Sequence, residues 1–181
     1  YTNDGLRFEY EVVSAHSIYP VSGPVSGGTW VEVRGAGIEL PDARGLFCQF
    51  GGAEPVAATH QSRELVVCVS PSAVDGAIGT VPVRLVNNDA VYGSVVAFTY
   101  RALVDIHKIE PVAGLREGGT VVTVYGSGFM GTADLRCGFG DVIVTARLLT
   151  AGQLECIPPL PAVTGYVPLE ISLNGRDFSS L

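Results

Sequence analysis

The chain lacks most of what catalysis or ligand chemistry requires. Its 181 residues include three histidines and one tryptophan, and only 16% are charged. No Gly-x-Ser-x-Gly occurs, so no nucleophile elbow is offered. No Asp-x-Asp-x-Asp run supplies the closely spaced oxygens of a calcium loop. No Cys-x-x-Cys is present, and three histidines are too few to make zinc a sound reading. No apolar run reaches the roughly 18–20 residues of a membrane span, so direct membrane insertion is not expected. No glycosylation sequon exists, since Asn3, Asn87, Asn88 and Asn174 all fail the Asn-x-Ser/Thr pattern. Long Ala/Leu/Glu/Lys runs are absent, and no segment of helical length shows a 3.6-residue apolar period, which excludes crossover helices. Eleven basic residues face 18 acidic ones, a formal charge of −7. A nucleic-acid surface needs a net basic face, so none is expected. The deficit is even: 6 basic and 10 acidic residues over 1–101 leave −4, and 5 and 8 over 102–181 leave −3.

What the chain has is glycine (23), proline (11) and a 47% apolar fraction. That combination describes many short elements joined by turns, the composition of a β protein with a sizeable core. One stretch suggests a cofactor. Val124 to Gly131 reads VYGSGFMG, a Gly-x-Gly-x-x-Gly behind a plausible strand, which is how a dinucleotide-binding turn begins.

An internal repeat changes that reading. Residues 16–37 (HSIYPVSGPVSGGTWVEVRGAG) recur at 107–128 (HKIEPVAGLREGGTVVTVYGSG), 91 positions on. Further blocks follow in order: CQFG at Cys48 and CGFG at Cys137, LVVCVSP at Leu65 and QLECIPP at Gln153, GTVPVRLVN at Gly79 and GYVPLEISLN at Gly165. Insertions fall between blocks, as expected for two copies of one domain. The echo of VYGSGFMG is VRGAGIEL, where the first two glycines persist and Leu40 replaces the third. The stretch TADLRCGFG that follows Gly131 leads to a cysteine-bearing strand, and without a helix N-terminus no pyrophosphate site is built. The shared Gly-x-Gly reads as a strand end that turns toward the opposite sheet. The opening NDGLRFEY resembles the end of a repeat, so residues 1–10 are assigned to the last strand of a preceding copy, 11–101 to a first domain and 102–181 to a second with a truncated C-terminal strand.

Within each copy the strands alternate. TWVEVRG sets Thr29, Val31 and Val33 against Trp30, Glu32 and Arg34. About seven such runs in about 90 residues describe an antiparallel β-sandwich of immunoglobulin size. The series P-x-x-G-x-x-x-G-G-T-x-V-x-V-x-G-x-G, then C-x-F-G, then C-x-x-P resembles the IPT/TIG domain. Both copies carry it. The resemblance implies two tandem early-set immunoglobulin-like sandwiches, all-β and non-catalytic, with either an intracellular Rel-type habitat or an extracellular multi-repeat one.

The four cysteines allow three pairings. Their places in the repeat favour Cys48–Cys68 and Cys137–Cys156, and such bridges imply an oxidising compartment. The alternative is four buried thiols, which are common in cores. His16 and His107 occupy equivalent positions and have no nucleophile partner, while His60 falls in an expected loop. Trp30 points away from the core, and with Leu65 and Val67 it forms a candidate partner patch unless residues 38–45 cover it. Phe47 is the other aromatic available to a glycan surface. Ala102, Leu103 and Val104 form a linker without glycine or proline, expected to pack between the domains and stiffen the pair.

The expected function is therefore structural and interactive: a fragment of a multi-IPT cell-surface, adhesion or surface-filament protein that contacts other protein domains, further repeats or copies of itself. No catalytic, cofactor or metal residue is assigned. Glycan-binding accessory domains of a secreted enzyme, or a Rel-type dimerisation domain, are the alternatives.

Overall fold

A computed structural model describes residues 13–38, 45–87, 90–160 and 165–179. The segment 1–10 and most of the loop 38–45 lie outside them. Among the described residues the only helical element is a three-residue 3-10 turn, Val74–Gly76, and every other regular element is a strand.

The first half holds β1 (Ser14–Tyr19), β2 (Ser22–Pro24), β3 (Trp30–Ala36), β4 (Phe47–Phe50), β5 (Val56–Ala57), β6 (Thr59–Ser62), β7 (Leu65–Val69), β8 (Gly79–Asn87) and β9 (Ala90–Arg101). The second holds β10 (Asp105–Glu110), β11 (Val122–Ser127), β12 (Arg136–Phe139), β13 (Val142–Thr145), β14 (Arg147–Thr150), β15 (Gln153–Cys156) and β16 (Leu169–Ser172). The first half packs a sheet of order β1-β3-β7-β6 on one of order β2-β9-β8-β4-β5. The second repeats this with β10-β11-β15-β14 and β13-β12-β16. All these ladders are antiparallel except β2 on β9. Both halves are the expected sandwiches.

Alternation places the core. Val31 and Val33 are fully buried while Trp30 is exposed, because successive side chains leave a strand on opposite faces. Phe50, Phe98 and Tyr100 stack edge to face in the first core, with ring centroids 5.3 Å and 5.1 Å apart. The second core gathers Val124, Phe129, Leu135, Leu154 and Ile171. The two clusters are separate. Cys48 on β4 is joined to Cys68 on β7, and Cys137 on β12 to Cys156 on β15, so each bridge ties one sheet to the other.

The Gly-x-Gly corner is built the same way twice. A Cβ on Gly35 would collide with the Ser14 carbonyl oxygen, and one on Gly126 with that of Asp105. Gly37 and Gly128 take φ of 64° and 79°, the left-handed region that glycine enters without strain. Just upstream on the facing strand, the register slips at Ala15/Ser17 and again at Ile106/Lys108. His16 and His107 are the extra residues of these two β-bulges, and both are exposed. His60 sits on strand β6, not in a loop, with its side chain exposed at the edge of the sheet.

Candidate functional site at the joint between the domains

The expected linker does not hold the domains together. Ala102 is exposed, Leu103 is 62% exposed, and only Val104 packs, against the second core alone. The domains are joined instead by the turn after β16. Asn174 organises it: its Oδ1 accepts from the Arg176 amide at 3.0 Å and the Asp177 amide at 2.8 Å. Gly175 between them takes φ of 72°. This side-chain-to-backbone closure is why Asn suits such a turn.

Three residues of that turn reach across. Asn174 Nδ2 donates to the Ser22 carbonyl at 2.7 Å. The Thr29 hydroxyl donates to Asp177 Oδ2 at 2.6 Å, and Asn174 Nδ2 donates to the same oxygen at 2.7 Å. Arg176 donates to Glu32 at 2.8 Å, with its guanidinium carbon 5.4 Å from the Tyr19 ring centroid. Glu32 also accepts from Arg34 at 2.9 Å. Hydrogen bonding by Arg34, and then by Arg176, holds the Glu32 carboxyl below its ordinary range. The Asp177 contacts are the stronger part of the joint. Ser22 and Thr29 are buried, and charge-assisted hydrogen bonds shielded from water exceed exposed ion pairs.

The apolar patch is arranged differently from the expectation. The register sets Trp30 opposite Val69, Glu32 opposite Val67, and Arg34 opposite Leu65. Trp30 therefore pairs with Val69; Val67 is a half-buried diagonal neighbour and Leu65 lies further along the strand. Counting from the bridged Cys68, which faces Val31, gives Val69 to Trp30. Trp30 is 62% exposed, and the loop 38–45 expected as its cover lies almost wholly outside the described residues. Phe47 is half-buried on the outer face of the opposite sheet, so the two aromatics do not form one surface. The residues that sequence reasoning missed are Arg176 and Asp177. Their signal is that the turn departs from the repeat, NGRD where the first copy has NNDA.

Among the described residues, no group of three or more His, Cys, Asp or Glu is placed to hold a metal. Beside the joint lies a cleft of about 500 Å³, walled by residues 22–24 and 26–28, Arg101, the linker and the end of the second domain.

The IPT/TIG domain model matches residues 14–100 and 105–181. Fibrocystin-L of Mus musculus is 27% identical over 179 residues, 97% of this chain and 4% of that protein. Plexin-A2 of Homo sapiens is 30% identical over 176 residues, 92% of this chain and 9% of that one. The solved plexin A4 full extracellular region superposes with a TM-score of 0.58 at 20% identity, covering 90% of this chain and 15% of that chain. That likeness is one of fold. The chain spans less than a tenth of the length of each of these curated relatives.

Proposed function

Because the chain belongs to the IPT/TIG domain family, we propose that it is a non-catalytic extracellular segment that works through protein–protein contacts, with its two domains held at one angle by the Asn174–Asp177 turn. The single observation that carries this reading is the hydrogen-bonded joint: Thr29 and Ser22 of one domain are bound by Asp177 and Asn174 of the other. A chain of tethered domains needs no such contacts, and inter-domain mobility is the default where they are missing. Two inter-sheet disulfides agree with an oxidising compartment, and the extracellular regions of plexins offer a parallel. In this reading the segment is a spacer or shaft in a multi-repeat cell-surface, adhesion or filament protein, and the Trp30–Val69 pair is a surface for another protein domain. The separation of Trp30 from Phe47 argues against a glycan platform.

The test is a spin-label distance distribution measured between the domains. The wild type should give one narrow distribution. Asp177→Ala removes the acceptor of two hydrogen bonds and leaves a buried Thr29 hydroxyl unpaired, a loss of about 1–3 kcal/mol at the joint. The distribution should broaden while each domain keeps its melting temperature. A broad distribution in the wild type would refute the fixed angle.

A further inference from the structure

Arg101 ends β9 at the joint and has no partner suited to its charge. Its Nε is buried without a hydrogen-bond acceptor. One Nη donates to the Met130 thioether of the second domain at 3.0 Å. A thioether is a weak acceptor, and a guanidinium carries five donors in a planar fork shaped for two oxygens. Among the described residues no carboxylate lies within ion-pair distance of it. The Nε is enclosed, so the exposed Nη edge is the part of the guanidinium that a ligand oxygen can reach.

The surroundings indicate what that group is. Arg101 lines the interdomain cleft of about 500 Å³ together with Ser26, Gly27, Gly28, Phe178 and Ser179. That is within the range of small-molecule sites, which favour domain interfaces. The wall offers the hydroxyls of Ser22, Ser26 and Ser179 and one ring, while the Gly27, Gly28 and Ser179 amides already donate to Pro24, Ser70 and Ile171. Asp177 also lines the cleft, but its Oδ2 is engaged by Thr29 and Asn174. One cation beside one carboxylate, on a chain of charge −7, does not suit a polyanion.

We propose that this cleft binds one compact oxyanion, a carboxylate or sulfate carried on a group no larger than a single sugar ring, held by the Arg101 guanidinium. The ligand would touch both domains and so tighten the joint.

The full chain is titrated with inorganic sulfate and, separately, with glucuronate, and the amide resonances of Gly27, Gly28 and Ser179 are followed. A saturable shift with at least one probe is expected. Saturation by sulfate alone identifies a free anion as the ligand; saturation only by glucuronate shows that the ring is read as well. Arg101→Gln should weaken binding by about tenfold or more. Arg101→Lys, which keeps the charge and loses the fork, should fall between. Arg116→Gln, which makes the same change in charge on an exposed loop, should bind like the wild type. Should Arg101→Gln fail to fold, as judged by its amide dispersion, Arg101→Lys carries the test alone. The proposal is overturned if those amides show no saturable shift with either probe, or if a folded Arg101 variant binds like the wild type.

Discussion

The two domains are the same sandwich with different poles. In the first, Ser22 and Thr29 are buried, with Thr29 donating to Asp177. In the second, the corresponding Ala113 is exposed and the Thr120 hydroxyl accepts from the Leu115 amide of its own loop. Tyr19 and Glu32 of the first, which carry Arg176, correspond to Glu110 and Thr123 in the second. Glu110 pairs with Lys108 at 2.6 Å, which holds its carboxyl below the ordinary range and the Lys108 ammonium above it. Thr29 and Asn174 of the joint recur as Thr120 and Asn87, whereas Tyr19, Ser22, Glu32, Arg176 and Asp177 do not, and it is these non-recurring partners that turn a shared scaffold into a joint.

Four substitution experiments probe that division. The largest effect is expected from Phe98→Ala. Phe98 is fully buried between Phe50 and Tyr100, and its removal should destabilise the first domain by about 3–5 kcal/mol. Denaturation should then resolve two transitions, only the first domain's having moved; a second domain that follows it down would mean that the halves fold as one unit. The disulfides come next. They close loops of 20 and 19 residues, so Cys48→Ser with Cys68→Ser, and Cys137→Ser with Cys156→Ser, should each cost about 3 kcal/mol in the chain-entropy model, each in its own domain. A markedly unequal loss would break the equivalence of the two copies. Third are the paired corners. Gly35→Ala and Gly126→Ala put a methyl group against the same backbone oxygen in each copy, and each should cost about 1–3 kcal/mol by thermal unfolding.

The smallest effect belongs to the joint. Glu32 titrates below its ordinary value of 4.5 because the folded state favours its charged form. Such a group contributes stability above its unfolded pKa, and that contribution is lost as pH falls through the folded one. Acidification below about 4.5 should therefore broaden the inter-domain distance distribution in the wild type. Glu32→Gln should show part of that broadening at neutral pH and a weaker acid dependence. An unchanged acid dependence in Glu32→Gln would assign the effect to other carboxylates.

Much of the architecture was legible because repetition and alternation are local signals. Val31, Val33, Val83 and Leu85 face inward as their parity requires, and no crossover helix occurs among the described residues, in keeping with the missing helical period. Registry between strands is less visible, since it is set by partners distant in sequence. That is why Trp30 finds Val69 and not Leu65. The joint was hidden for another reason. Apolar Leu103 looked like packing material, yet the contact is polar and comes from a turn about 70 residues further on. Arg176 and Asp177 stand out only where the copies differ, NGRD against NNDA, and so carry no signal in what the copies share.

The inter-sheet bridges have a consequence under load. A chain pulled by its ends unravels to about 3.3–3.6 Å per residue. The 20 and 19 residues spanned by the two cystines cannot be drawn out, because each span stays pinned at a Cα separation of 6.2 Å. Each domain therefore retains roughly 60 Å of hidden contour length that only reduction releases. The redox state of these two bonds thus sets how far the segment can stretch.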